Sequence, residues 1–176
     1  MNADYRYRLS RLERETEGKG AAMTDHYAQL MTTFPAFEGY TIHGTKKMLE
    51  SGLVRELSNG DPLFKEGDPA RTAVLVLTGK VELFVERHGR VLQLTEAEPG
   101  RMLGELAVLG GAMRASSART LDATAVVEWE TDTFRRLVMG DAVLSERVFR
   151  QAMRTLVEEE LALVASLAAV KEVANS

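Results

Sequence analysis

Apolar positions near the start of the chain recur at steps of three and four residues. Residues 1–17 fit a short amphipathic helix, residues 22–34 fit a stronger one that Pro35 ends, and a third short helix is predicted over 44–51. The pattern therefore predicts an N-terminal helical segment over residues 1–36.

From Leu53 onward the pattern changes to short apolar runs separated by Gly, Pro, Asn and Asp. Strands at intervals of about 8–12 residues with turn residues between them indicate an antiparallel sandwich or barrel. His88-Gly89 lies between two runs and predicts a hairpin turn. We therefore expect a mainly β fold with flanking helices, an antiparallel β-roll or jelly-roll-like barrel, over residues 37–140. The runs begin at Leu53, Leu63, Ala73, Val81, Val91 and Ala125.

Helical periodicity returns in the last part of the chain. Thr131 or Asp132 is expected to cap a helix that runs to Gly140, and residues 143–173 then form a long helix without Pro or Gly. Within this helix, apolar residues recur every seven positions, which predicts either the seam of a homodimer or packing on the barrel. The segment 141–176 is therefore predicted to be a dimer helix or a lid helix. The apolar residues that recur every seven positions are Phe149, Leu156, Leu163 and Val170.

Composition narrows the classes of function. The 176 residues suggest one domain with appendages, and 22 Lys+Arg against 26 Asp+Glu give a net charge of −4. That balance argues against a general binder of nucleic acid or anionic membranes. The absence of cysteine excludes disulfides and thiolate sites, and three dispersed histidines predict no metal site. No signal sequence or membrane span is predicted, so we expect a cytoplasmic protein.

One segment between two predicted strands carries groups suited to an anion. Gly104 permits close backbone approach, and Glu105–Leu109 fit a single helical turn whose N-terminal N–H groups can bind phosphate. Arg114 adds a planar guanidinium, and Ser116 and Ser117 add hydroxyl donors. The same residues also fit a plain helical turn in a loop with a surface arginine.

Glu105 sets a condition on the ligand, because its carboxylate repels an anion unless another group donates a hydrogen bond to it. A sugar hydroxyl is a natural donor for that carboxylate. The residues therefore predict a ligand that has one phosphate and one ribose.

Four motifs in order resemble the cyclic nucleotide-binding domain family, which includes catabolite-activator-type regulators and the regulatory subunits of cyclic-AMP-dependent kinase. The resemblance covers residues 37–140 and implies a β-roll with a phosphate-binding cassette at residues 103–117. The motifs are Leu63-Phe-Lys-Glu-Gly-Asp, Ala73-Val-Leu-Val-Leu-Thr-Gly-Lys-Val-Glu, Leu103-Gly-Glu-Leu-Ala with Arg114-Ala-Ser-Ser, and Thr131-Asp-Thr-Phe-Arg-Arg-Leu.

The resemblance implies a role for each cassette residue. Arg114 would pair with the exocyclic phosphate oxygens of a cyclic nucleotide, and Glu105 would accept from the ribose 2′-hydroxyl. Ser116 is expected to join the ligand-binding set, and no cofactor or metal is implied. The residues whose backbone N–H groups would face the phosphate and ribose are Gly104, Leu106, Ala107 and Ala115.

Two departures from the family pattern affect the expected ligand. Met113 stands where the family often has Pro, which predicts a freer loop before the arginine. Ala115 stands where members that prefer cyclic GMP often carry a hydroxyl, so cyclic AMP is the expected ligand over cyclic GMP. The base is expected to contact apolar positions on residues 83–85 or on the helix from Val143 onward.

The segment after the barrel bears on the kind of protein. Residues 141–176 contain four Lys or Arg and six Asp or Glu and fit one helix, so no DNA-recognition helix is predicted there. We expect a stand-alone sensor module that acts on an unidentified protein effector through rearrangement of its C-terminal helix. The alternatives are a ligand-free structural or interaction domain with a degenerate pocket and a sensor of another nucleotide second messenger. No catalytic pair is evident, so no enzymatic activity is expected.

Overall fold

The computed structural model describes the backbone of residues 20–174, and their side chains except those of 159, 162, 163 and 165–174. The predicted helix over 1–17 therefore lies outside the described residues. The helices are α1 (20–31), α2 (Ile42–Glu50), α3 (Glu105–Gly110), α4 (Thr131–Gly140) and α5 (Ala142–Ala174), with a 3-10 turn at Pro35–Phe37. The strands are β1 (Leu53–Leu57), β2 (Pro62–Phe64), β3 (Thr72–Thr78), β4 (Val81–Arg87), β5 (Arg90–Ala97), β6 (Met102–Leu103), β7 (Ser117–Thr120) and β8 (Thr124–Glu130).

The strands form two four-stranded sheets in which every pairing is antiparallel. One sheet has the order β1-β8-β3-β6 and the other has the order β2-β7-β4-β5. The predicted mainly β fold with flanking helices is confirmed. The hairpin between β4 and β5 turns at His88 and Gly89, whose φ angles of 53° and 72° suit a two-residue turn of the type that hairpins favour.

Strand β3 is buried on both faces, which explains its unbroken run of apolar residues. Val74 and Val76 face the interior between the two sheets, where they meet Val126 and Ala118. The alternate residues of the strand pack instead against the helical layer. The sandwich interior and the helical layer therefore form two apolar cores that share one central strand.

The N-terminal helices are joined to the barrel by apolar packing and by buried polar contacts. The Thr45 hydroxyl of α2 donates to the Ala28 carbonyl of α1 at 2.8 Å. The indole N–H of Trp129 on β8 donates to the Met48 carbonyl of α2 at 2.8 Å. These bonds satisfy polar groups at a buried junction, so α1 and α2 form one packed layer on the first sheet.

The start of α4 differs from its prediction. Glu130 is the N-cap residue and forms no side-chain cap bond, and Thr131 is already helical. The Thr131 hydroxyl donates instead to the Arg71 carbonyl at 2.9 Å, because this residue adjoins the loop before β3. The prediction that Thr131 or Asp132 caps α4 is therefore wrong. The next helix, α5, does have a side-chain cap, because the carboxylate of Asp141 accepts from the N–H groups of Val143 and Leu144.

Among the described side chains of the long helix α5, the buried apolar ones lie in its first three turns. Leu144, Val148 and Ala152 are buried at four-residue spacing, whereas Phe149 and Leu156 of the predicted stripe are exposed by 42% and 44%. The side chains of the other two stripe residues, Leu163 and Val170, lie outside the described set. For the described residues, therefore, the predicted stripe lies on a different face of α5 from the one that packs on the barrel.

Candidate functional site

The cassette runs from a short strand into a short helix. β6 ends at Leu103, Gly104 adopts a left-handed conformation with φ 71°, and α3 begins at Glu105. The first N–H groups of a helix have no partner within the helix, so those of α3 are available to a ligand in front of them. Gly111, also left-handed, closes the helix.

Gly104 leaves room for the guanidinium of Arg114. A Cβ built at residue 104 would lie 1.7 Å from Nη1 of Arg114 and 3.0 Å from its Cζ. A side chain at this position would also meet the strain of a positive φ. Gly104 is therefore required twice, once by its backbone conformation and once by the arginine that lies against it.

The loop that carries Arg114 is held on its backbone by residues 67–70. The Arg114 N–H donates to the Asp68 carbonyl at 2.8 Å, and the Gly67 N–H donates to the Arg114 carbonyl at 2.9 Å. Met113 forms an isolated bridge with Pro69. The bridge and the backbone bonds hold the loop in place without a proline, and the freer loop expected from Met113 stays a prediction.

The Arg114 side chain is buried but only partly satisfied. It is 4% exposed, its Nη2 donates to the Thr72 carbonyl at 2.6 Å, and its Cζ lies 4.1 Å from the centroid of the Phe64 ring. Its Nε and Nη1 are buried and have no hydrogen-bond partner among the described residues. Buried donors without acceptors are costly, and an acceptor bound at this place would remove that cost.

Burial and the neighbouring carboxylates have opposite effects on the pKa of Arg114. Burial lowers the pKa of the guanidinium below its usual value, and the carboxylates of Glu128, Asp68 and Glu105 act in the opposite direction. An arginine stays protonated at neutral pH. The cassette therefore contains a buried, fixed positive charge with free donors, which is the arrangement that an anion recognises.

All seven predicted site residues line one cavity of about 210 Å³, where the structure brings together residues 104–107 and 114–116. Glu105 and Arg114 therefore face the same space, as the sequence predicts for a ligand with both a phosphate and a hydroxyl. Ser117, the second predicted hydroxyl donor, is not among the lining residues. Its Oγ accepts from the Glu66 N–H at 3.0 Å and so holds the neighbouring loop.

The cavity also has walls that the cassette motif does not indicate. Phe64 and Leu83 come from two strands, and Leu83 falls within the range proposed for base contact. Thr155 and Leu156 reach the cavity from α5. Thr155 carries the one hydroxyl in a stretch of α5 that is otherwise mostly apolar or charged. That isolated hydroxyl is the signal in the sequence from which Thr155 could have been predicted as a site residue.

Other kinds of site find no support in the described part of the chain. No group of three or more His, Asp or Glu side chains there could hold a metal ion. Among residues 20–174, no helix is both long enough and apolar enough to cross a membrane.

Comparison with known proteins agrees with this geometry. The family model for the cyclic nucleotide-binding domain matches residues 54–141, which include the cassette and both sheets. The solved structure of the catabolite activator protein of Thermus thermophilus is 26% identical, with a TM-score of 0.66, and the match covers 74% of this chain and 62% of that one.

Two curated proteins match over part of their length. A cAMP-dependent protein kinase regulatory subunit of Debaryomyces hansenii is 28% identical over 119 residues, covering 66% of this chain and 24% of that protein. A CRP-like cAMP-activated global transcriptional regulator of Mycobacterium tuberculosis is 29% identical over 102 residues, covering 57% and 46%. The chain thus spans about a quarter and about a half of these two relatives.

Proposed function

This chain belongs to the cyclic nucleotide-binding domain family, and we propose that its cassette binds cyclic AMP and that binding repositions α5 to act on a separate protein. The observation that carries the proposal is the buried guanidinium of Arg114, whose Nε and Nη1 have no partner among the described residues. A cyclic phosphate in the adjoining cavity supplies acceptors for these donors.

Each cassette residue takes a role in this proposal. Arg114 binds the exocyclic phosphate oxygens, and the N–H groups of Leu106, Ala107 and Ala115 complete the phosphate cradle together with Gly104. Glu105, which lines the same cavity, accepts from the ribose 2′-hydroxyl. Ser116 is buried at the cavity wall and adds a hydroxyl near the phosphate.

The purine is proposed to lie between the second sheet and α5. Leu83 and Leu156 offer apolar contacts, and the Thr155 hydroxyl offers a hydrogen bond to the base edge. Ala115 has no hydroxyl for the extra amino group of guanine, which favours cyclic AMP over cyclic GMP. No metal or cofactor takes part in this binding, and no catalytic step is proposed.

The cassette cavity is small, and α5 forms part of its wall. Its volume of about 210 Å³ is below the 300–1,000 Å³ of most ligand pockets. Thr155 and Leu156 form its wall on the helix side, beyond the last turn that is buried on the barrel. We infer that a nucleotide displaces this part of α5, so that ligand binding shifts the helix between two positions.

The exposed face of α5 supports a homodimer as the signalling form. The described apolar residues Phe149, Met153, Leu156, Val157, Leu161 and Val164 are 42–64% exposed. Apolar residues in such number along one helix are typical of a protein interface. The proposed protein is a cytoplasmic homodimer in which Phe149, Leu156, Leu163 and Val170 line the seam, and its effector is a further protein.

Two alternatives are separable by binding measurements. A degenerate, ligand-free domain does not need the buried charge of Arg114, so that charge speaks for binding. A sensor of another nucleotide second messenger would use the same cassette with a different group beyond the ribose. Titration with a panel of nucleotides distinguishes all three.

Isothermal titration calorimetry with cyclic AMP tests the proposal directly. We expect micromolar binding, about −8 kcal/mol, and loss of detectable binding in Arg114→Ala. Arg136→Ala removes an exposed arginine on α4 and serves as the control. Absence of heat at millimolar cyclic AMP, or unchanged affinity in Arg114→Ala, would contradict the proposal.

A further inference from the structure

A second cavity of about 780 Å³ lies beside the cassette cavity, between the 3-10 turn at Pro35–Phe37 and α5. The residues that line this cavity carry a net positive charge, because four of them are arginines and three are glutamates. The arginines are Arg101, Arg147, Arg150 and Arg154, and the glutamates are Glu38, Glu146 and Glu158.

Two of these arginines are engaged with the protein itself. Arg147 donates to the Glu38 carbonyl, and Arg150 pairs with Glu146 one turn earlier on α5. In each contact the guanidinium already donates to an oxygen of the protein. These two arginines therefore have fewer N–H donors left for a ligand than an arginine without such a contact.

The other two arginines have unused donors. Arg101 and Arg154 form no side-chain hydrogen bond or ion pair with any residue that the structure describes. Arg101 comes from the loop before β6 and Arg154 from α5, so two different elements each contribute an arginine to the lining of this cavity. The planar fork of donors on each guanidinium suits the oxygens of a tetrahedral anion.

The two cavities adjoin. Arg101 and Thr155 line both of them, so the wall between the cassette and the second cavity is formed by these side chains. A group bound at Arg101 is therefore next to a nucleotide bound at Arg114. The two cavities share Arg101 and Thr155, whereas Arg114 lines only the cassette cavity and Arg154 lines only the second cavity.

We propose that Arg101 and Arg154 form a second phosphate-binding subsite beside the cassette. The subsite binds a phosphate group other than the one at Arg114, and in that respect the inference rests on the proposed function. The phosphate has two sources: the second phosphate of one extended ligand, such as a cyclic dinucleotide, or free phosphate beside a cyclic mononucleotide. In either case it joins the barrel to α5 and favours the position that the helix takes when a nucleotide is bound.

Calorimetry of the full chain in phosphate-free buffer tests the first source. Cyclic di-AMP is titrated into the wild type, Arg101→Gln and Arg154→Gln, with Arg90→Gln on the exposed hairpin as the control for net charge. We expect the affinity to fall about ten-fold in each subsite variant, as for the loss of one charge-assisted hydrogen bond. Arg154→Gln is expected to bind cyclic AMP as the wild type does, which also shows that it is folded.

Inorganic phosphate tests the second source. It is titrated alone and then together with cyclic AMP, at constant ionic strength. We expect phosphate to bind the wild type, to raise the affinity for cyclic AMP several-fold, and to do neither in Arg154→Gln.

The outcomes separate the two proposals. If cyclic AMP binds through Arg114 but cyclic di-AMP and phosphate respond to Arg101→Gln and Arg154→Gln no more than to Arg90→Gln, the subsite is refuted and the proposed function stands. If cyclic AMP does not bind the wild type but phosphate binds in a manner that needs Arg154, the proposed function fails and the subsite stands.

Discussion

The hydroxyl of Tyr40 donates to Oδ2 of Asp141 at 2.5 Å, across 101 positions of sequence. The other oxygen of the same carboxylate accepts from the N–H groups of Val143 and Leu144 at 3.0 and 3.1 Å. One carboxylate therefore caps α5 and ties it to the N-terminal helical layer. The point about which α5 would move is thus fixed by side chains outside the cassette.

This contact predicts a pH-dependent contribution to stability. Burial and the bond to Asp141 raise the pKa of Tyr40 to about 12. The bond from Tyr40 lowers the pKa of Asp141, with smaller contributions from the N–H groups of Leu144 and Val143 and from Arg147. The contribution of Asp141 is present above its ordinary pKa of about 4 and is lost as the pH falls further. That of Tyr40 is present below about pH 10 and is lost as the pH rises through its folded-state pKa.

We expect Tyr40→Phe to reduce the free energy of unfolding by about 1 kcal/mol at neutral pH. The difference from the wild type should shrink at the lowest pH at which both stay folded. Urea unfolding at several pH values measures it, with Asp141→Asn and the double variant closing the cycle. A difference independent of pH would show that the lost hydroxyl acts through packing alone.

Gly104→Ala should damage both stability and binding. The added Cβ would meet Nη1 of Arg114 at 1.7 Å, and the left-handed backbone adds about 1–2 kcal/mol of strain. We expect a lower melting temperature and at least ten-fold weaker binding of cyclic AMP. Gly110→Ala is the matched control, because a Cβ there has no neighbour within 4 Å. Equal behaviour of the two variants would refute the role given to Gly104.

Arg114→Met should separate stability from binding. In the ligand-free protein it removes a buried charge with two donors that have no partner among the described residues, while it also removes the bond to Thr72. We expect the free energy of unfolding without ligand to change by less than about 1 kcal/mol, while binding of cyclic AMP is lost. Chemical denaturation with and without nucleotide measures both. A loss above about 2 kcal/mol without ligand would mean that the guanidinium is already satisfied in the free protein.

Thr155→Val should reveal whether α5 contacts the base. The substitution preserves shape but removes the hydroxyl, which already donates to the Gln151 carbonyl at 3.1 Å and keeps acceptor capacity. We expect the affinity for cyclic AMP to fall about three- to ten-fold. Ser145→Ala, which removes a hydroxyl from the same helix away from the cavity, should leave binding unchanged. If both variants bind equally well, the base lies elsewhere.

The exposed face of α5 predicts the oligomeric state. Phe149→Asp places a charge on an apolar residue of the proposed seam that is 42% exposed, and we expect it to shift a dimer to a monomer in sedimentation experiments. Leu53→Asp places the same charge at a residue that is 63% exposed on β1 and serves as the control. A wild-type protein that sediments as a monomer at micromolar concentration would contradict the dimer.

Much of the architecture was predictable from local pattern. Alternating apolar residues with Gly, Pro and Asn between them located six of the strands, because each of these signals lies within the strand or its turn. The short strand β6 and the polar strand β7 were missed. Two residues are too few to show a period, and β7 gains its burial from Ala118 and Thr120, whose small side chains give little apolar signal.

The cassette residues were predictable for a similar reason. Gly104, Glu105 and Arg114 lie within eleven positions of one another, so one motif contains the glycine, the carboxylate and the guanidinium of the site. The packing of Arg114 on Gly104 and its two donors without a described partner were not predictable, because they depend on how the loop at residues 67–70 holds the arginine.

By itself the amino-acid sequence determined the class of fold and the chemistry of the cassette, since both are encoded by short-range spacing. Only the tertiary structure decided which residues of α5 meet the barrel. Thr155 and Arg154 reach their cavities because Leu144, Val148 and the Tyr40–Asp141 contact set the direction of the helix. Packing between segments far apart in sequence sets that direction, and no local periodicity records it.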